Sequence, residues 1–186
     1  MITPPYLKSG DKVGIVSTAK TVSAAEIKEG LEVLKNWNLI PVIGKNAFNV
    51  YGFFAGTDQE RLEDLQQMLD DESIKAIIFT RGGYGTVKII DQLDFTNFKK
   101  NPKWLVGYSD ITVLHSHVHN FNIETLHAIM LQGMPKATFE SLDSLKKALF
   151  GESLIYEIAK NKKNKLGETT VEGVLVGGNL SILYSL

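Results

Sequence analysis

What most restricts the fold of this chain is the alternation of short, unbroken apolar runs with segments of helical period. Lys12-Val13-Gly14-Ile15-Val16-Ser17 is apolar at its centre and bounded by polar residues, the pattern of a buried strand. Ser23 and Glu26 have the spacing of a capping box. Ala24, Ile27, Leu31 and Leu34 then recur at helical spacing up to Trp37. Leu39 to Ile43 reads as a second strand, and Thr57-Asp58 opens a helix whose inner face carries Leu62, Leu65, Met68 and Leu69. Ala76 to Thr80 is the clearest strand, a helix is predicted over Thr86 to Leu93, and Trp104-Leu105-Val106 is a further strand followed by a helix to about Asn120. Strands that are apolar throughout are covered on both faces, so residues 1–150 are predicted to form an α/β domain: a three-layer parallel sheet with helices on both faces.

The character changes after Pro135. Ser141 to Phe150 reads as a helix closed by Gly151. Leu154 to Ala159 and Thr170 to Val176 read as two strands joined by the loop Asn161-Lys162-Lys163-Asn164-Lys165. No aromatic residues interleave with those lysines, so the loop reads as a solvated hairpin rather than an anion or nucleic-acid contact. Gly177-Gly178-Asn179 opens a last apolar segment, Leu180 to Leu186. Residues 151–186 are therefore expected to be linker strands and the cut-short beginning of a smaller, β-rich domain.

Composition removes several function classes. Twenty Lys and Arg against 21 Asp and Glu leave a formal charge of −1, without the basic excess that nucleic acid or an anionic membrane calls for. The absence of cysteine excludes disulfide frameworks, thiolate nucleophiles and Cys–zinc sites. No apolar run reaches the ~18 residues of a membrane helix, and the polar start of the chain lacks a signal h-region. A cytoplasmic location is expected.

Three segments carry candidate chemistry. In Val106-Gly107-Tyr108-Ser109-Asp110-Ile111-Thr112 a serine sits at a turn between a buried strand and a helix. Such a turn lifts the hydroxyl above the carboxyl edge of the sheet, with the helix N-terminus behind it and the Asp110 amide beside a forming oxyanion. Ile111 stands where a G-x-S-x-G elbow would have its second glycine, and on local pattern alone Ser109 reads more readily as a helix cap than as a nucleophile. Arg81-Gly82-Gly83-Tyr84-Gly85 allows close backbone approach to a ligand but lacks P-loop and dinucleotide spacing, so a plain tight turn stays open. Both turns follow strands of one parallel sheet and should share the ligand-binding edge. In His115-Ser116-His117-Val118-His119, His115 and His119 share a helical face. No accompanying Glu of the H-E-x-x-H type supports zinc, and no metal site is expected. His127 is placed at a strand end, either lining the site or satisfied near the core.

Together these residues resemble the N-terminal part of the LD-carboxypeptidases, serine peptidases that include muropeptide-recycling enzymes and microcin-C immunity proteins. The resemblance rests on Val13-Gly14-Ile15-Val16-Ser17, Phe54-Ala55-Gly56-Thr57-Asp58 with Arg61, Arg81-Gly82-Gly83-Tyr84-Gly85, Pro102-Lys103, Gly107-Tyr108-Ser109-Asp110-Ile111-Thr112 and Gly177-Gly178-Asn179-Leu180. It implies Ser109 as the nucleophile and the amides of Gly83 and Asp110 as the oxyanion hole; Gly82, Tyr84 and His127, at the same edge, are expected as substrate contacts. The implied reaction is hydrolysis of the amide between an L-centre diamino acid and a terminal D-alanine in a muropeptide, without metal or organic cofactor. The resemblance also allows a homodimer. Two departures are visible: Ala128-Ile129 follows His127 where many relatives have Gly-Pro, and the family's catalytic Glu and His lie beyond residue 186, so residues 1–186 alone are expected to be inactive. Two other readings stay open: a non-catalytic small-molecule or peptide-binding domain with a flavodoxin-like sheet, and a glutamine-amidotransferase-like hydrolase, which normally places Cys at this turn.

Overall fold

The computed structural model describes residues 1–156 and 170–186. Five parallel strands form one sheet: β1 (Lys12–Val16), β2 (Ile40–Ile43), β3 (Ile74–Phe79), β4 (Trp104–Gly107) and β5 (Leu126–His127), in the order β2-β1-β3-β4-β5. The register places Ile77 beside both Gly14 and Leu105. Helices cover both faces, as the apolar strands require. On one face α1 (Ala24–Asn36), a 3-10 segment (Leu131–Lys136) and α5 (Phe139–Phe150) pack on Val13, Ile15, Ala76, Ile78 and Val106. On the other, α2 (Asp58–Asp70), α3 (Thr96–Lys100) and α4 (Thr112–His119) pack on Val16, Ile77, Phe79 and Leu105. The alternation of Ala76 and Ile78 against Ile77 and Phe79 is the period-two consequence of a strand buried on both sides.

The helix starts follow their local chemistry. Ser23 and Thr57 each form a full capping box, with Glu26 and Glu60 respectively. Thr57→Ala is expected to lower stability by about 1 kcal/mol in urea unfolding; an unchanged midpoint would mean that α2 is held by its packing alone. Gly151 ends α5 in the left-handed region (φ +77°), as its position suggests.

Three expectations are corrected. Residues 86–93 form two separate 3-10 turns, Thr86–Lys88 and Ile90–Gln92, because the first turn is anchored by the Thr86 amide and the chain then drops Ile89 and Ile90 into the core. The segment 170–176 carries no regular structure: its Val171, Val174, Leu175 and Val176 are exposed and no described strand lies beside it. A strand without a hydrogen-bonding neighbour has no ladder to form. Residues 154–156 are likewise irregular, while the rest of the expected strand and the lysine loop at 161–165 lie outside the described residues. The apolar tail does form a short helix, α6 (Leu180–Ser185), capped by Asn179 and held through Ile182 against the α4 face.

Candidate active site

The carboxyl edge of the sheet gathers the loops that leave β1, β3 and β4. β4 ends at Gly107, Tyr108 is extended (φ −147°, ψ −172°) and Ser109 turns the chain at φ +59°. One 3-10 turn then leads into α4. A left-handed serine costs roughly 1–2 kcal/mol and is sustained by the packing around it. A Cβ at Gly107 would lie 2.8 Å from Ile111 Cγ1, so the turn closes only because residue 107 has no side chain. Ile111, at the place of the missing second glycine, is fully buried and anchors the turn from below. Ser109 itself is half-buried.

The glycine loop lies directly against this serine. A Cβ at Gly82 would sit 3.1 Å from Ser109 Cβ and 3.2 Å from its Oγ. Gly83 has φ +147°, and a Cβ there would meet Lys20 Cβ at 2.8 Å, so this loop is wedged between the elbow and the segment after β1. Tyr84 is half-exposed, its ring 6.4 Å from Phe54. Phe54 in turn carries the Arg61 guanidinium and the Lys88 ammonium, each 4.8 Å from its centroid. His127 is exposed at the end of β5, paired with Gly107, with its ring 6.2 Å from that of Tyr108. The residues singled out in the sequence thus share one edge.

Sequence reasoning missed the buried hydroxyls beneath this edge. Ser17 Oγ lies 2.8 Å from Thr80 Oγ1, and Thr18 Oγ1 lies 2.8 Å from Thr86 Oγ1. All four are buried. The only local signal is that Ser17, Thr18 and Thr80 directly follow apolar strands, where a polar residue reads simply as a strand boundary.

The histidines divide. His115 is buried and bonds the Gly107 carbonyl at 2.9 Å through Nε2, which must donate; its Nδ1 has no partner among the described residues. Burial drives its pKa down to about 4, against the opposing pull of the Gly107 bond, with His127 adding to the depression. The ring is therefore neutral at pH 7, and neither nitrogen bonds Ser109. His117 stacks on Phe95 at 4.9 Å and His119 is exposed. Among the described residues no cluster of three metal-ligating side chains occurs.

His115 gives a pH signature. Folding makes the ring less basic, so between about pH 6.5 and 4 the unfolded chain binds the extra proton and stability falls on acidification. The full penalty is on the order of 3 kcal/mol. Asp64, whose carboxyl is held above its usual range mainly by burial, acts in the opposite sense. His115→Gln is expected to flatten the pH 6.5–4 portion of the stability curve in urea unfolding; an unchanged slope would remove His115 as its source.

A cleft of about 390 Å³ lies at the opposite edge of the sheet between Tyr6, Lys8, Glu72, Lys75, Lys100 and Lys103. Its buried Lys103 donates to the carbonyls of Met68 (2.9 Å) and Asp71 (2.7 Å), which closes the C-terminus of α2. Burial lowers its pKa to about 8, opposed by Asp71. With two of its ammonium protons already given to backbone carbonyls, Lys103 is explained as a helix cap.

A parallel α/β sheet with a strand–serine–helix elbow packed against a glycine loop defines the class of this protein. Residues 13–128 match the LD-carboxypeptidase N-terminal domain, and the chain belongs to that family. It is 35% identical to a probable murein peptide carboxypeptidase of Bacillus subtilis over 98% of this chain and 58% of that protein. It is 29% identical to the murein tetrapeptide carboxypeptidase of Pseudomonas aeruginosa over 92% of this chain and 59% of that protein. The chain thus spans about three fifths of the length of the curated relatives it matches. Among solved structures, the microcin C7 self-immunity protein MccF in complex with aspartyl sulfamoyl adenosine shares the fold at TM-score 0.83 and 23% identity, over 99% of this chain and 65% of that one. No helix among the described residues is long and apolar enough to cross a membrane.

Proposed function

We propose that this chain is the nucleophile-bearing part of a serine LD-carboxypeptidase acting on muropeptides. Ser109 Oγ attacks the carbonyl that joins the L-centre of the diamino acid to the terminal D-alanine. The amides of Gly83 and Asp110 receive the oxyanion. Collapse of the tetrahedral intermediate breaks the C–N bond, D-alanine leaves with a proton, and water hydrolyses the acyl-enzyme. Gly82, Tyr84 and His127 line the substrate. Neither nitrogen of His115 bonds Ser109, so the general base and its orienting carboxylate are assigned to parts of the protein outside residues 1–186. No cofactor enters this scheme, which belongs to the cytoplasm and to peptides recovered from the wall.

The observation that carries the reading is the left-handed Ser109 at φ +59° against Gly82. Strain held at a strand-to-helix corner is typical of a nucleophile rather than a cap. The test is D-alanine release from an L,D-tetrapeptide by the full-length protein, with residues 1–186 as an inactive control. Release by the full-length protein alone supports the proposal. Peptide binding without release would favour a binding domain, and glutamine hydrolysis an amidotransferase-like enzyme.

A further inference from the structure

The side chain of Asp110 is one of the most buried polar groups in the protein, at 1% exposure. Its Oδ2 accepts the backbone N–H of Thr86 at 2.9 Å, while Oδ1 has no hydrogen-bond partner among the described residues. The bond it makes is specific in its placement. Thr86 is the first residue after the glycine loop 82–85, and its hydroxyl meets that of Thr18. At the other end of the loop, the Thr80 amide bonds the Val16 carbonyl and the Thr80 carbonyl accepts the amide of Gln132. The loop is therefore pinned at both ends, and on the Thr86 side the pin is the residue that follows Ser109.

From this we infer that Asp110 is a positioning residue whose side chain sets the spacing between the two halves of the oxyanion hole: its own amide forms one half, and through Thr86 it holds the loop that supplies the other, Gly83. The inference rests on the proposed hydrolase reading for its catalytic consequence, but the mechanical claim is independent of it. Asparagine keeps an acceptor for the Thr86 N–H and offers an amide where the second oxygen now lies. Alanine removes the link while leaving the backbone amide of residue 110 in place.

The experiment measures kcat and KM for D-alanine release by full-length wild type, Asp110→Asn and Asp110→Ala. The alanine variant is expected to lose about 10²- to 10³-fold in kcat, the size of a lost oxyanion donor, with KM within about threefold. Asp110→Asn is expected to keep kcat within roughly tenfold of wild type. Equal losses in both variants, a loss confined to KM, or no loss in alanine would overturn the assignment. In parallel, amide hydrogen exchange on the 186-residue chain reads the link without any reaction. Thr86 N–H should be protected in wild type and Asp110→Asn and exposed in Asp110→Ala; protection in all three overturns it. If the alanine variant does not fold, Asp110→Ser, too short to reach Thr86, replaces it under the same expectations. Failure of wild type to release D-alanine while the exchange pattern holds would discard the hydrolase reading and leave the loop tether standing.

Discussion

Ser109→Ala in the full-length protein is expected to lower kcat for D-alanine release by about 10⁴-fold or more, since removing the nucleophile of an acyl-transfer enzyme leaves only the oxyanion hole and binding. The fold should survive. Ser109 is half-buried, has no side-chain hydrogen bond among the described residues, and cannot be contributing a cap that the helix needs. Alanine in the left-handed region is about as strained as serine, so thermal unfolding should move little. Loss of activity with an unshifted unfolding curve separates a chemical role from a structural one. Retained activity would take Ser109 out of the mechanism.

The second large effect is expected at Gly83. Here φ is +147°, a region L side chains rarely adopt, and a Cβ would approach Lys20 Cβ to 2.8 Å. Gly83→Ala must therefore rotate the loop or push back the segment after β1, and either movement displaces the Gly83 amide relative to the Ser109 turn. On the proposed role of this amide in the oxyanion hole, a fall in kcat of roughly 10²- to 10³-fold is expected, with KM much less affected. Gly173→Ala, where a Cβ would meet nothing within 4 Å, is the matched control and should leave kcat unchanged. Equal kcat for Gly83→Ala and wild type would exclude the loop from oxyanion stabilisation.

Most of the fold was legible because its signals are local. Unbroken apolar runs at 12–17, 76–80 and 104–106 became β1, β3 and β4, and the Ser23–Glu26 spacing became a capping box. What escaped depends on distant partners. Arg61 and Asp64 lie on the buried side of α2 although both are charged. Arg61 reaches the Gly56 carbonyl, Asp58 and the Phe54 ring, and Asp64 accepts the amide and side chain of Asn46. Except for Asp58, these partners lie outside the helix, so its own sequence does not announce them. The break of 86–93 into two 3-10 turns has the same origin, since the amide that anchors it is held by Asp110, 24 residues on. At the site, Ser109 and Gly82–Gly83 could be nominated from spacing because glycine and serine at strand ends are conspicuous. The Ser17–Thr80 and Thr18–Thr86 pairs could not, since each joins residues more than 60 positions apart. The expected strand at 170–176 failed for the complementary reason. Its β-branched composition signals a strand, yet a strand exists only where a neighbour accepts it.

The most direct test of the account uses a tetrapeptide analogue with an activated phosphonate at the scissile carbon, incubated with the full-length protein and mapped by tandem mass spectrometry. A single covalent adduct is expected, on Ser109, with the phosphonyl oxygen held by the amides of Gly83 and Asp110 in the crystal structure of the product. An adduct on any other hydroxyl, or continued release of D-alanine while Ser109 stays unmodified, would contradict it.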